Sequence, residues 1–182
     1  MKIKINRKLS IDGKKPPLII GEVSANHGRS LNKIYRLNLI NSITGYKPAN
    51  LIGTKSKMGV TNLAIFSSVI HLGSNPALIG IVTRPNTVPR HTYKNIIDTK
   101  YFTINHISKE NIKKAHYTSA KFKDEESEFE KCSLEEMYID NFYAPFVKES
   151  KVKIGLKLVE EITINSNNTI LIVGRVTKIK TR

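Results

Sequence analysis

The sequence has no tryptophan, a single cysteine, and half as many acidic residues as basic ones. One cysteine, Cys132, excludes an internal disulfide and the paired-cysteine spacings of zinc sites, and such usage is typical of a reducing compartment. No apolar run approaches the length that a bilayer-spanning helix needs. The apolar part of the basic N-terminus, Leu18–Ile20, is too short for a secretory signal. We therefore expect a cytoplasmic protein that does not enter a membrane.

The excess of basic residues gives the 182-residue chain a formal net charge of +15. Such a charge suits an anionic partner, whether nucleic acid, a phosphate-bearing cofactor or an acidic membrane surface. The lysines and arginines are spread along the whole chain, however, and no helix-turn-helix, zinc-finger or aromatic RNA-binding motif is present. Nucleic acid is therefore disfavoured as a partner. No metal site is predicted, because metal-ligand spacing is absent from His71, His91, His106 and His116.

Many of the acidic residues lie in one segment, Phe122–Met137. Such a composition predicts a solvated loop followed by a short helix at Ser133–Met137. Cys132 lies in this segment, and its only basic neighbour is Lys131. We expect an exposed thiol with little reactivity, because no cation cluster lowers its pKa.

Short strands joined by hairpins dominate the rest of the sequence. A turn, KSKMG, separates the first pair of strands, and an asparagine-rich turn, NSNN, separates the last pair. This pattern predicts a mainly β protein, an antiparallel barrel with a few covering helices. The predicted strands are Lys47–Thr54, Val60–Ser67, Ala77–Thr83 (buried on both faces), Tyr101–His106 (half-buried), Val152–Ile164 and Thr169–Ile179. The other predicted helices are Tyr93–Thr99 and Lys109–His116.

A run of polar and basic residues between the second strand and the first helix predicts an anion site. Two apolar runs flank a loop at His71–Pro76, and the first run ends in paired serines, while a basic pair and a threonine precede the helix. Thr92 is placed to cap that helix, so a cation, a cap and the helix dipole would meet at one anion. A flavin phosphate needs such a site, and its ring needs a flat, mostly apolar slot. The residues concerned are Asn62, Ser67, Ser68, Arg84, Arg90, His91 and Thr92.

From Tyr35 to about Lys178 the chain resembles the flavin reductase-like family, whose fold is the FMN-binding antiparallel split β-barrel. The family pattern is a glycine-containing hairpin, an N-L-A-x-x-S segment, a proline-led strand and a basic-x-Thr-x-x-Asn-Ile helix start. The matching segments are YRLNLINSITGYKPANLIGTKSKMGVTNLAIFSS, SNPALIGIVTRP, PRHTYKNI, FTINHI, AHYTSAKFKDEESEFE and NFYAPFVKES.

This resemblance implies a homodimer that binds FMN at the subunit interface and passes a hydride from NAD(P)H to flavin. The flavin performs that chemistry, so no catalytic residue is predicted. A protein that accepts the electrons is a further possible partner. The implied neighbours of the ring and ribityl chain are Asn62, Ala64, Phe66, Ser67 and Ser68; the implied phosphate contacts are Arg84, Arg90, His91 and Thr92; and Thr118 and Ser119 are expected to line the ring from the partner subunit.

Both ends of the chain depart from the family pattern. Residues 14–32 resemble the first strand and turn of sialic and pseudaminic acid synthases, with Glu22, Asn26 and His27 as the matching residues. A site of that class needs loops from several strands of a TIM barrel. A segment of this length therefore cannot carry the activity. We therefore divide the chain into an atypical segment, 1–33, and a split-barrel domain, 34–182, that lacks the family's usual C-terminal tail.

Two alternatives to a flavin reductase stay open on the sequence. The first alternative is a carrier that holds FMN permanently and serves another protein. The second is an inactive remnant in which flavin binding is impaired. A missing tail would expose barrel edges or weaken the dimer.

Overall fold

A computed structural model describes residues 3–4, 10–11, 39–87, 90–120, 122–123 and 126–181. The chain divides into two compact units, Met1–Gly45 and Tyr46–Arg182. In the first unit, β1 (Ile3–Lys4) pairs antiparallel with β2 (Ser10–Ile11), and a helix, α1, covers 39–43. The synthase-like residues 14–32 lie outside the described residues.

The second unit is a mainly antiparallel β structure with short helices. Its strands are β3 (Asn50–Lys55), β4 (Thr61–Phe66), β5 (Val69–Ser74), β6 (Ala77–Thr83), β7 (Tyr101–His106), β8 (Glu136–Met137), β9 (Phe146–Val147), β10 (Val152–Ile164) and β11 (Thr169–Thr181). Its helices are α2 (His91–Thr99), α3 (Ile112–Tyr117), preceded by a 3₁₀ turn at Lys109–Asn111, and α4 (Glu128–Lys131).

Seven of these strands form one sheet in the order β4-β3-β7-β10-β11-β6-β5. The two edge strands, β4 and β5, are consecutive in the chain and are joined only by Ser67 and Ser68. Because a two-residue link keeps the end of β4 and the start of β5 within about 11 Å of one another, the sheet curls until its opposite edges meet at this link. The result is an antiparallel barrel that is split between β4 and β5, as the resemblance implied.

Both predicted hairpins are confirmed. The turn between β3 and β4 contains Gly59 at a φ of 89°, a conformation that glycine adopts without strain. The turn between β10 and β11 contains Asn168 at a φ of 58°, in the left-handed region that asparagine tolerates better than most residues. The two long strands then pair along nearly their whole length.

The sheet has an apolar core on each side. Inside the barrel, Ile52, Phe102 and Leu156 are fully buried together with Ile96 of α2. On the outer side, α3 and α4 cover β3 and β4. The outer core consists of Leu51, Leu63, Ala115, Phe129, Cys132, Leu134 and Val147. The alternation of Leu51 and Ile52 between these two cores is the period-two pattern of a strand.

The covering on both sides corrects the prediction for β7. Its alternating sequence predicted a strand with one solvated face, whereas Phe102, Thr103, Ile104 and Asn105 are all buried. The segment before β10 lies against its outer face, where Thr103 Oγ1 donates to the carbonyl of Pro145 at 2.7 Å. The polar side chains of β7 therefore bond a covering segment instead of water.

Several local predictions were wrong. Val69–Ser74 form β5, so the loop expected at His71–Pro76 shrinks to a turn at its last two residues. The helix expected at Ser133–Met137 is a turn followed by β8, and the helix of this region is α4 instead. Cys132 is buried with an exposed fraction of 4%.

The acidic segment is thus a cover for the sheet as well as a solvated surface, since Phe129 and Leu134 of this segment are also buried. Burial raises the pKa of the Cys132 thiol, and the nearby Glu128 carboxylate acts in the same direction. The thiol is therefore kept in its unreactive form. Among the described helices, none has both the length and the apolar character to cross a bilayer.

Candidate functional site

The N-L-A-x-x-S segment runs along edge strand β4 and into the link that follows it. Ala64 pairs with the core residue Ile52 of β3, so Asn62, Ala64 and Phe66 share the inner face of the barrel. Phe66 packs against the inner core and, like Ala64, is half-buried. This edge therefore offers small and flat apolar side chains that are not fully covered.

Helix α2 contacts β3, β4 and β7 and places polar side chains against this edge. Asn62 Nδ2 donates to Thr92 Oγ1 at 3.0 Å and lies 3.4 Å from Thr54 Oγ1, and Asn95 Nδ2 donates to the same Thr54 hydroxyl at 3.2 Å. All four residues are buried. The network fixes the start of α2 relative to β4.

Thr92 does not cap α2, contrary to the sequence prediction. The N-cap residue is Arg90, which makes no side-chain cap hydrogen bond, and Thr92 is the second residue of the helix. Its hydroxyl accepts from Asn62 inside the unit rather than from a backbone N–H at the helix start. Thr54 and Asn95 were missed from the sequence, although Thr54 is directly opposite Asn62 in the predicted hairpin.

The other side of α2 borders a cleft of about 240 Å³ with a basic lining. Arg90 is held at the head of the helix because its Nε donates to the carbonyl of Pro85 at 3.3 Å. The helix N-terminus adds a positive dipole end beside these side chains. The lining residues are Asn86, Arg90, His91, Tyr93, Lys94, Ile97 and Asp98. The cleft can therefore bind a small anion, and Lys94 and Asn86 were not anticipated.

The remaining predicted residues have separate positions. Arg84 is exposed in the segment after β6 and does not line this cleft. Ser67 is exposed, whereas the Ser68 hydroxyl donates to the carbonyl of Val82 at 2.7 Å and anchors the link to β6. Thr118 is buried and Ser119 exposed at the end of α3.

The hydroxyls of Thr118 and Ser119 donate to carbonyls of their own helix, Ala115 and His116, at 2.8 and 2.7 Å. Helix α3 packs through Ala115 on the outer core. The described structure therefore does not bring these two hydroxyls to the inner face of β4.

A buried carboxylate that the sequence did not single out lies on the free edge of β4. Glu128 Oε2 accepts the N–H of Leu63 at 3.0 Å, and only 8% of the Glu128 surface is exposed. Burial raises the pKa of this carboxyl, while the Leu63 N–H and the charge of His91 oppose the shift in part. In the cleft, a hydrogen bond to Glu161 raises the pKa of Tyr93 to about 12, so that hydroxyl stays protonated near neutral pH.

Fold and site together define an antiparallel split barrel that has a half-exposed apolar edge beside a basic helix start. The family model described as the flavin reductase like domain matches residues 46–182. The chain belongs to this family.

Three similar proteins show how far the likeness extends. A split-barrel protein from Shewanella frigidimarina that is assigned as a flavin reductase is 46% identical, with a TM-score of 0.81 over 84% of this chain and 76% of that one. Nitrilotriacetate monooxygenase component B from Bacillus cereus shares the fold, with a TM-score of 0.78 at 20% identity over 88% of this chain and 82% of that one. An uncharacterized protein of Aquifex aeolicus is 32% identical over 120 residues, which are 65% of this chain and 61% of that relative. The chain thus spans about three fifths of that relative's length.

Proposed function

We propose that this protein is an oxidoreductase that binds FMN and receives a hydride from NAD(P)H in the cytoplasm. The observation that supports the proposal best is the union of a basic helix start with the half-buried inner edge of β4, through the Asn62–Thr92 hydrogen bond of 3.0 Å. A flavin mononucleotide needs both parts, since its phosphate is a dianion and its ring is flat and largely apolar.

The residues present fit an FMN phosphate at the cleft. Arg90, His91 and Lys94 bring three basic side chains to one 240 Å³ space at the start of α2, and charge-assisted hydrogen bonds to phosphate are among the strongest that side chains make. Arg84 is a further phosphate contact only if the ligand extends beyond this lining. Thr92 is proposed to orient Asn62 and not to contact the phosphate.

The ring is proposed to lie along Ala64, Phe66 and the link residues Ser67 and Ser68. Asn62 then holds this edge against α2, and Ser68 holds the link against β6 through the Val82 carbonyl at 2.7 Å. When bound, the flavin supplies the hydride-accepting chemistry. The protein's part is to bind and orient it and to keep its ring accessible to the nicotinamide.

The proposed assembly is a homodimer. Ile70 and Leu72 on edge strand β5 are each 41% exposed. A Cβ on Gly80 would lie 3.0 and 3.1 Å from their side chains and 2.9 Å from Leu171, so the three side chains lie together on one side of the sheet. Ile81 and Ile172, which alternate with these positions, face the inner core. The apolar outer patch Ile70–Leu72–Leu171 next to Ser67 and Ser68 supports a second copy as its partner. Under this proposal, Thr118 and Ser119 serve the partner's site.

The first experiment is a visible spectrum of the purified full chain before and after incubation with FMN and desalting. Retained flavin absorbance is expected, and addition of NADH or NADPH should then bleach the bound flavin. Turnover of added free flavin is expected of a reductase and not of a permanent FMN carrier. A colourless chain whose melting temperature does not rise with FMN would overturn the proposal, because a ligand selective for the folded state stabilises it.

A further inference from the structure

The inner-face residues of the candidate ring site are carried by an edge strand, whose position is set from one side only. β4 pairs with β3 and with no other strand in the described sheet. An edge strand presents a row of backbone groups that are not used by a sheet partner. A group that forms hydrogen bonds with these backbone groups therefore also helps to set the positions of Ala64 and Phe66.

Helix α4 and the residue before it bond β4 at two positions, one at a backbone group of that row and one at a side chain. Glu128 Oε2 accepts the N–H of Leu63 at 3.0 Å, and the Ser127 hydroxyl shares a hydrogen bond of 2.8 Å with Thr61. Thr61 also donates to a carboxylate oxygen of Glu136. Leu63 and Thr61 are two residues apart, which is the repeat of outward-facing positions along a strand. These hydrogen bonds therefore hold the edge of β4 in place directly before Ala64.

Holding the strand with a buried carboxylate costs the free energy of desolvating a charged group. Phe129 and Leu134 surround the same region with apolar surface, and a leucine at position 128 would remove the cost of desolvating a charge. Glu128 therefore depends on its hydrogen bond with the Leu63 N–H to offset this cost.

We propose that Glu128 is a positioning residue for the flavin site. Its carboxylate holds the Leu63 backbone in place, and so places Ala64 to Ser68 at the distance from α2 that the ring requires. This inference rests on the proposed function. Glu128 is not a catalytic residue, because it contacts β4 from the outer side and bonds the backbone rather than a ligand.

The test compares three variants of the full chain. Glu128→Gln keeps an oxygen acceptor at the same reach, Glu128→Asp withdraws the acceptor by one methylene, and Glu128→Ala removes it. We expect FMN affinity within about threefold of the unchanged chain for Gln, and a loss of about tenfold or more for Asp and Ala, since these two leave the buried Leu63 N–H without its acceptor, and an unsatisfied buried donor has that order of effect. The visible band of bound FMN should also shift for Asp and Ala but not for Gln.

Leu134→Ala is the matched control, because it weakens the same outer core and leaves the hydrogen bonds at the edge of β4 in place. All titrations are made well below each variant's melting temperature, so that loss of folded protein does not mimic loss of affinity. If Glu128→Ala does not fold, the FMN affinities of Glu128→Gln and Glu128→Asp decide the test. Equal affinity in Gln, Asp and the unchanged chain would overturn the inference alone, and so would an equal loss in Leu134→Ala. Failure of the unchanged chain to take up FMN would instead overturn the proposed function and this inference with it.

Discussion

At the scale of single residues, close approach between two backbones makes Gly53 indispensable. A Cβ on Gly53 would lie 2.4 Å from the Pro145 carbonyl oxygen and 2.6 Å from Thr103 Oγ1. The Pro145 oxygen belongs to a backbone that also donates the Val147 N–H to Asn105 Oδ1 at 3.0 Å, so it cannot retreat without breaking that contact.

Gly53→Ala should therefore lower the free energy of unfolding by about 1–3 kcal/mol, the range for a forced backbone shift in a packed region. Urea unfolding followed by circular dichroism measures it. Gly73→Ala is the control, because the nearest atom to its Cβ is the Pro76 oxygen at 3.6 Å, an ordinary contact. A Gly53→Ala variant as stable as the Gly73→Ala variant would contradict this account.

The buried Glu128 carboxyl gives a pH dependence whose sign follows from its environment. Burial raises its pKa in the folded state, so the folded state takes up its proton more readily than the unfolded chain does. Its contribution to stability is therefore complete below the ordinary pKa of about 4.3 and is lost as the pH rises through the folded-state value.

Glu128→Gln stays neutral, so its free energy of unfolding should rise relative to that of the unchanged chain as the pH increases from 4 to 7. Urea unfolding of both proteins at half-unit pH intervals measures this difference. All other titrating groups cancel in the comparison. A difference that stays constant would contradict the raised pKa, and one that falls toward neutral pH would show that the carboxyl is stabilised as an anion.

At the scale of elements, the two sides of α2 face different parts of the structure. Thr92 and Asn95 bond the hairpin β3–β4, whereas Arg90, His91 and Lys94 line the cleft. A phosphate bound there would contact the second set only. Riboflavin, which has the ring without the phosphate, separates the two sets.

Arg90→Gln is expected to weaken FMN binding about tenfold or more, the effect of losing one charged hydrogen bond, and to leave riboflavin binding nearly unchanged. Fluorescence titration with each flavin measures both affinities. Lys113→Gln removes the same charge from an exposed position on α3 and should alter neither affinity. An equal loss for FMN and riboflavin would place Arg90 at the ring instead of the phosphate.

What the sequence predicted at this scale depends on how locally each element is determined. The β3–β4 hairpin was found because a turn with Gly59 separates two apolar runs. β5 was missed because His71, Gly73 and Ser74 are usual in loops, and only their pairing with β6 makes them a strand. Thr54 and Asn95 were missed because polar residues ordinarily indicate a surface, whereas here they bond one another in the interior.

The outer core explains the other errors. Cys132 and its neighbours have an acidic sequence that indicates exposure, but α4 turns Phe129 and Cys132 onto the sheet. No local pattern reports that a second layer covers β7. The family resemblance, which depends on the order of many weak segments, predicted the barrel that these segments build together.

At the scale of the whole molecule, the proposed dimer has a direct test. Ile70→Lys with Leu72→Lys places two charges on the apolar outer patch and should halve the mass in light scattering, from twice the 20.5 kDa chain to one copy. Met58→Lys is the control, since Met58 lies in the β3–β4 turn and is 89% exposed. An unchanged chain that already elutes as a monomer would overturn the dimer proposal.

The strand order has a consequence for how this protein is made. β10 and β11 follow the other five strands of the sheet in sequence but lie in the middle of the sheet, between β7 and β6. Until they leave the ribosome, β4-β3-β7 and β6-β5 are two fragments with open edges, and the inner core lacks Leu156, Ile170 and Ile172. Completion of the barrel must therefore wait until both strands have been synthesised, and a chain terminated before β10 would expose the edges of β7 and β6, which invite aggregation.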